Sequence, residues 1–131
     1  MKTILFVCVE NSCRSQIAEA FARTLGRGLI EAYSCGSRPS GHVNGTAIAS
    51  MKELGYDRST HASKSVSDIP QIMYDVVVTM GCGDACPSVT AKQREEWNIP
   101  DPKQMDIDEF RAVRDRIRNH VSALIGACAV P

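Results

Sequence analysis

Short unbroken apolar runs alternate along this chain with stretches in which apolar residues recur every three or four positions. Thr3–Val9 (TILFVCV) is an unbroken run of strand length, the pattern of a central parallel strand buried on both faces. From Ser15 to Leu25, residues Ile17, Ala18, Phe21, Ala22 and Leu25 share one helical face, and Gly26 terminates the pattern. Leu29–Ser34 predicts a second strand, ended by Cys35-Gly36. Pro39, Gly41 and other turn formers make Ser37–Asn44 a loop. A second helix is predicted over Gly45–Leu54, with Ala47, Ile48, Met51 and Leu54 inward.

Asp57–Pro70 is polar and Ser-rich, and predicts a surface connection with one short helical turn. Tyr74–Met80 (YDVVVTM) predicts the third buried strand, and Gly81–Pro87 (GCGDACP) a glycine- and cysteine-rich loop. Thr90–Trp97 predicts a short helix followed by a short strand. Prolines on both sides of Asp101 stiffen Ile99–Pro102. Asp106 or Asp108 caps a last helix that runs to about Ile125. Phe110, Val113, Ile117, Val121, Leu124 and Ile125 face the sheet, and Gly126 is its expected stop. Strands alternating with helices predict a three-layer α/β/α fold, a parallel sheet covered on both faces. Ligands of such folds bind at the carboxyl ends of the strands. Cys8, Cys82 and Asp101 follow the first, third and fourth expected strands, so the topology gathers them at one edge.

Composition narrows the class. A length of 131 residues suits a single domain over 1–131, and 44% apolar residues suffice for a core. Fifteen basic and fifteen acidic residues cancel, without a block of like charge for nucleic acid or anionic lipid. The longest apolar run, Ile4–Val9, is far too short to cross a bilayer. Met1-Lys2-Thr3 leads straight into the first strand without room for a signal peptide, so the expected compartment is the cytoplasm. Six cysteines form an even set that allows a disulfide framework. In a reducing compartment, such usage points instead to redox or metal chemistry.

The chemistry centres on Cys8-Val9-Glu10-Asn11-Ser12-Cys13-Arg14-Ser15, at the expected strand-to-helix junction. A loop of this kind wraps an oxyanion with backbone N–H groups and the positive end of a helix dipole. The same field favours the thiolate of a cysteine at its centre. Arg14 offers a planar fork of donors to two oxygens of a tetrahedral anion, and Ser15 can hydrogen-bond the sulfur. A thiolate in such a cradle can attack phosphorus or arsenic, and the leaving oxygen then needs a proton, which a carboxylic acid held above the loop can supply; Asp101 is the candidate. For each feature a plainer role exists: a buried strand cysteine, an exposed helix arginine, a turn-forming Asp before Pro.

Cys82 and Cys86 are separated by three residues, and glycines flank Cys82, which suits thiol–disulfide exchange. Half of a zinc site is an alternative, although His42, His61 and His120 are scattered. Incidental cysteines in a glycine loop are another.

Cys8 followed by five residues and then Arg14-Ser15 resembles the loop of the low-molecular-weight tyrosine phosphatases. The fuller string Asn11–Gln16 with Ala18-Glu19 is more similar to the arsenate reductases built on that phosphatase fold. Asp101-Pro102 matches the Asp-Pro acid of both groups, and the likeness extends through Phe110–Asp115 in the last helix. The resemblance implies a four-stranded parallel sheet of order 2-1-3-4. It also implies reduction of arsenate to arsenite, with Cys82 attacking the Cys8 adduct and Cys86 resolving the disulfide.

Lys103-Gln104-Met105 stands where tyrosine phosphatases of this fold often carry tyrosines. Glu10 occupies a position that is often glycine, and is expected to face solvent. Some thioredoxin-linked members bind potassium near the loop. Asn11 and Ser34 match that set, but Ala62 and Lys64 do not, so no potassium site is expected; the Lys64 ammonium can replace the ion.

The reading is therefore an enzyme using Cys8, Arg14, Ser15, Asp101, Cys82 and Cys86, with Val9–Ser15 binding an arsenate or phosphate oxyanion. The electron donor is thioredoxin, glutaredoxin or a low-molecular-weight thiol. No cofactor, metal, nucleic acid or membrane is expected, and the chain is expected to be a monomer. A phosphatase of the same fold and a non-catalytic oxyanion or thiol-state sensor are the alternatives. Asn11 is expected to order the loop. Cys13 is either structural or a reversible disulfide partner of Cys8. Cys35 is expected beside the sheet, Cys128 in a frayed tail, and Trp97 in packing.

Overall fold

The computed structural model describes residues 1–56, 62–81 and 89–129. Four parallel strands form one sheet: β1 (Lys2–Cys8), β2 (Ile30–Gly36), β3 (Tyr74–Thr79) and β4 (Ala91–Glu96), in the order β2-β1-β3-β4. The expected order is the observed one. Ile4 to Cys8 of β1 are all buried because β1 is an inner strand, paired on one side with β2 and on the other with β3. Cys8 ends β1 opposite Gly36, at the carboxyl edge.

The α-helices of the described residues are α1 (Arg14–Leu25), α2 (Gly45–Lys52) and α3 (Ile107–Ala129). They share one core cluster with Ile4, Phe6, Val76 and Val78, on one face of the sheet. The opposite face carries Leu5, Val7, Cys35, Tyr74 and Val77 beneath Ile69 and Val66, in the connection that holds a single 3₁₀ turn at Val66–Asp68. Both faces are thus covered, with the longer helices on one.

The strand of charged residues β4 (AKQREE) replaces the expected helix-then-strand over Thr90–Trp97. Its backbone pairs with β3 from Tyr74↔Ala91 to Thr79↔Glu96, and its charged side chains suit an outer strand. The last helix does not stop at Gly126. It continues to Ala129, and the Gly126 position meets no neighbouring atoms, so the helix passes through it on the solvent side. Cys128 is therefore half-buried in α3, packed against the main core, rather than in a frayed tail. Leu25 and Leu54, expected inward, are exposed at 39% and 37%: Leu25 is the last residue of α1, and Leu54 lies two residues beyond the end of α2, which stops at Lys52 rather than Leu54.

Asp106 is the cap of α3: its Oδ1 accepts from the Glu109 N–H at 2.9 Å. Asn44 caps α2 by accepting from the Thr46 and Ala47 N–H groups. Trp97 is a packing residue, its ring against Phe6 and His120.

Candidate active site

Residues 9–13 pass from the end of β1 directly into α1, and their carbonyls are taken up behind the loop. Val9 O accepts from Arg38 N at 2.8 Å, Glu10 O from Ser40 N and the Ser63 hydroxyl, and Ser12 O from Asn44 N. The Asn11 carbonyl accepts from the Gln16 side chain. A trans peptide points its N–H away from its C=O, so the N–H groups of residues 10–13 turn away from these outer partners. This cradle forms because residues 37–44 and 62–65 supply the outer partners.

Asn11 carries the turn at φ 51°, in the left-handed region that asparagine tolerates better than most residues. Its Oδ1 accepts from the Lys64 N–H at 2.8 Å and from Gln16 Nε2 at 3.0 Å, and its Nδ2 donates to Ser15 Oγ at 2.7 Å. Asn11 orders the loop, as expected, through its side chain. Gly36 stands behind the loop, where a Cβ would lie 2.6 Å from Val9 O and 2.9 Å from Asn11 N. Only glycine allows the end of β2 to approach so closely.

Cys8 is 3% exposed, and its sulfur lies 2.9 Å from Ser15 Oγ. Arg14 is buried; its Nη1 donates to the Ile99 carbonyl at 3.1 Å, and its Nη2 lies 3.9 Å from Asp101 Oδ2. Cys8, Glu10, Ser12, Cys13, Arg14 and Asp101 line one small cavity. Asp101 is half-exposed, with Oδ1 accepting from the Lys103 N–H. The structure thus brings together the loop residues Cys8 to Ser15 and Asp101. Cys82 and Cys86 lie outside the described residues.

Glu10 does not simply face solvent. Lys103 Nζ lies 2.9 Å from each of its carboxylate oxygens, which neutralises it at the cavity edge. Burial pushes the Cys13 thiol up to about 12, and the Cys35 thiol likewise to about 12. Both are neutral thiols at physiological pH, and Cys8, Cys13, Cys35 and Cys128 are free. Cys35, expected beside the sheet, is fully buried within it, because β2 runs on to Gly36 and pairs Cys35 with Val7.

Sequence reasoning missed several supports. Gly81, read as a flexible neighbour of Cys82, has φ 76°, and a Cβ there would lie 2.3 Å from Arg14 Nη1. Its absent side chain is the room in which Arg14 lies; a glycine directly after a strand was the available signal. Gln16 and Glu19 are buried polar residues on α1. Gln16 ties the loop to the Ala62 carbonyl at 2.9 Å. Glu19 accepts from the Ser34 hydroxyl and pairs with Arg23 and with Lys64 Nζ at 3.7 Å. The Lys64 ammonium therefore compensates a buried carboxylate beside Ser34.

Residues 3–129 match the family model described as low molecular weight phosphotyrosine protein phosphatase, and the chain belongs to that family. Within it, the chain is 44% identical over 128 residues to a glutaredoxin arsenate reductase of Synechocystis sp., covering 95% of this chain and 97% of the relative. It is 42% identical to an arsenate reductase of Staphylococcus epidermidis, covering 89% and 90%. A solved arsenate reductase in its phosphate binding state superposes with a TM-score of 0.89 at 42% identity, over 98% of this chain and 100% of that one. A thioredoxin-dependent arsenate reductase of Corynebacterium glutamicum superposes at 0.76 with 27% identity, over 98% of this chain and 62% of that one.

Proposed function

We infer that this protein is an arsenate reductase. The observation that carries the reading is the cavity in which the Cys8 thiol, the Arg14 guanidinium and the Asp101 carboxyl converge beside the loop residues Glu10, Ser12 and Cys13. Relatives at 42–44% identity that are arsenate reductases support it.

In the proposed reaction, Cys8 attacks the arsenic of arsenate while Arg14 and the loop N–H groups hold its oxygens. An As–S bond forms, and one oxygen leaves as water after taking a proton from Asp101. Cys82 then attacks the Cys8 sulfur. A Cys8–Cys82 disulfide forms, the S–As bond breaks, and its electron pair stays on arsenic, which leaves as arsenite. Cys86 attacks Cys82 and frees Cys8, and an external dithiol reduces the Cys82–Cys86 disulfide while being oxidised itself. Lys103, Gln104 and Met105 follow the acid, so no aromatic side chain there offers a cleft for an aryl ester.

The donor is thioredoxin or a similar thiol carrier, and both a glutaredoxin-named and a thioredoxin-dependent relative support a donor of that class. Thiol relays of this kind belong to a reducing compartment such as the cytoplasm, where they would serve arsenical resistance. Among the described residues, no helix is long and apolar enough to cross a membrane.

The test is arsenate-dependent NADPH oxidation, coupled through thioredoxin with its reductase, or through glutathione, glutaredoxin and glutathione reductase. Turnover in the parent that is lost in both Cys82→Ser and Cys86→Ser establishes the relay. Loss in Cys82→Ser alone assigns the last step to an external thiol. Brisk aryl phosphate hydrolysis without arsenate turnover on any donor replaces the reading with a phosphatase.

A further inference from the structure

Glu10 and Lys103 stand 93 positions apart, yet Lys103 Nζ lies 2.9 Å from both carboxylate oxygens of Glu10. Glu10 belongs to the anion loop and lines the cavity with Cys8, Arg14 and Asp101. Lys103 belongs to the acid loop, and its N–H donates to Asp101 Oδ1 at 3.1 Å. The ion pair therefore straps one rim of the cavity to the other.

Two physical effects follow. A carboxylate at the edge of an anion site repels the substrate, and the adjacent ammonium cancels that repulsion. Around the cavity, Glu10, Lys103, Asp101 and Arg14 alternate in formal sign. The strap also limits separation of the two loops. A compact tetrahedral oxyanion carries no group that must pass between the loops, whereas an ester must project its organic group between the loops that the strap joins.

The Lys103 and Glu10 side chains are 44% and 29% exposed, so the pair contributes little to folding stability. Its position assigns it to access and charge instead.

We propose that the Glu10–Lys103 pair is a specificity latch, which holds the acid loop over the anion loop and selects compact tetrahedral oxyanions over aryl phosphate esters. The proposal deepens the arsenate reductase reading and rests on it for the identity of the favoured oxyanion.

The experiment compares the parent with Lys103→Met, Glu10→Gln and the double variant. Inorganic phosphate binding is measured by calorimetry, p-nitrophenyl phosphate hydrolysis by steady-state kinetics, and arsenate turnover with the coupled assay. Lys103→Met, which strands the Glu10 charge, is expected to weaken phosphate binding about tenfold. The double variant, which removes both charges, is expected to recover phosphate binding to within about threefold of the parent. It is also expected to raise kcat/KM for p-nitrophenyl phosphate about tenfold, because the strap is gone.

Equal phosphate affinity in the parent and Lys103→Met overturns the charge role. An unchanged ester rate in the double variant overturns the latch. If no protein of the set turns over arsenate while phosphate binding and ester hydrolysis shift as stated, the reductase reading fails and the latch stands.

Discussion

The hydroxyl of Ser15 lies 2.9 Å from the sulfur of Cys8, where either group can donate to a neutral partner and only the hydroxyl can donate to a thiolate. The neighbours leave the hydroxyl proton available. The Lys64 backbone N–H can only donate, so it fixes the oxygen end of the Asn11 amide toward itself. The amide nitrogen then faces Ser15 and donates to its oxygen, which leaves the Ser15 proton free to be donated to the Cys8 sulfur when that sulfur is a thiolate. A donor held against a sulfur stabilises it when it carries negative charge, as an attacking or departing thiolate. Ser15→Ala is therefore expected to reduce kcat for arsenate about 10- to 100-fold, the weight of a hydrogen bond to a charged group. Alkylation of Cys8 by iodoacetamide at neutral pH should slow in parallel, and unchanged rates of both would refute the assignment.

Asp101 lies at the cavity edge, half-exposed, with one oxygen held by the Lys103 N–H. The other, Oδ2, lies 3.9 Å from Arg14 Nη2 on the side of the cavity. Asp101→Asn keeps the shape and removes the proton. It is expected to lower kcat about 10²- to 10⁴-fold. Inorganic phosphate binding, measured by calorimetry, should change far less, because Arg14 and the loop remain.

Gly81 is the seat of Arg14. Gly81→Ala places a methyl 2.3 Å from Arg14 Nη1 at a φ of 76°. The strained backbone is expected to cost about 1–3 kcal/mol, read as a lower denaturation midpoint. The displaced guanidinium should weaken phosphate binding as well. A protein that loses stability while keeping its phosphate affinity would separate Gly81 from the site.

Cys13 and Cys35 imply a pH dependence with a defined sign. Burial raises both thiols from 9.0 to about 12 in the folded chain. Above pH 9 the unfolded chain loses those protons first, so it binds fewer protons than the native chain and stability falls as pH rises. The contribution is fully present below pH 9 and is lost between pH 9 and about 12. Thermal midpoints should be flat in this respect from pH 7 to 8.5 and decline above 9. Cys35→Ala should reduce the steepness of that decline, and an identical slope in the variant would contradict the burial account.

Much of the site was legible because it is contiguous. Cys8 to Ser15 lie within eight consecutive residues, and a strand-to-helix turn with that composition has few other uses. Asp101 was legible by its Asp-Pro context. Lys103 was noticed only as a non-aromatic residue, since a contact with Glu10 across 93 positions leaves no local pattern. The same holds for the brace formed by Ala62, Ser63 and Lys64, whose value lies in where the Ala62 carbonyl, the Ser63 hydroxyl and the Lys64 N–H point.

By itself, the sequence determined the inner strands, the faces of the helices and the anion loop. Each depends on neighbours within a few positions: an apolar run, a 3.6-residue period, a cysteine and an arginine at loop spacing. Tertiary structure alone decided that AKQREE is a strand, because the open backbone edge of β3 supplies the hydrogen bonds that its polar side chains do not advertise. It decided that α3 runs through Gly126, since the core beneath Val121, Leu124 and Ile125 outweighs the roughly 1 kcal/mol that glycine costs a helix. It also decided that Glu10 and Lys103, and Gly81 and Arg14, are partners. Such pairings arise when the carboxyl ends of parallel strands bring distant loops to one edge, and only the folded chain sets that geometry.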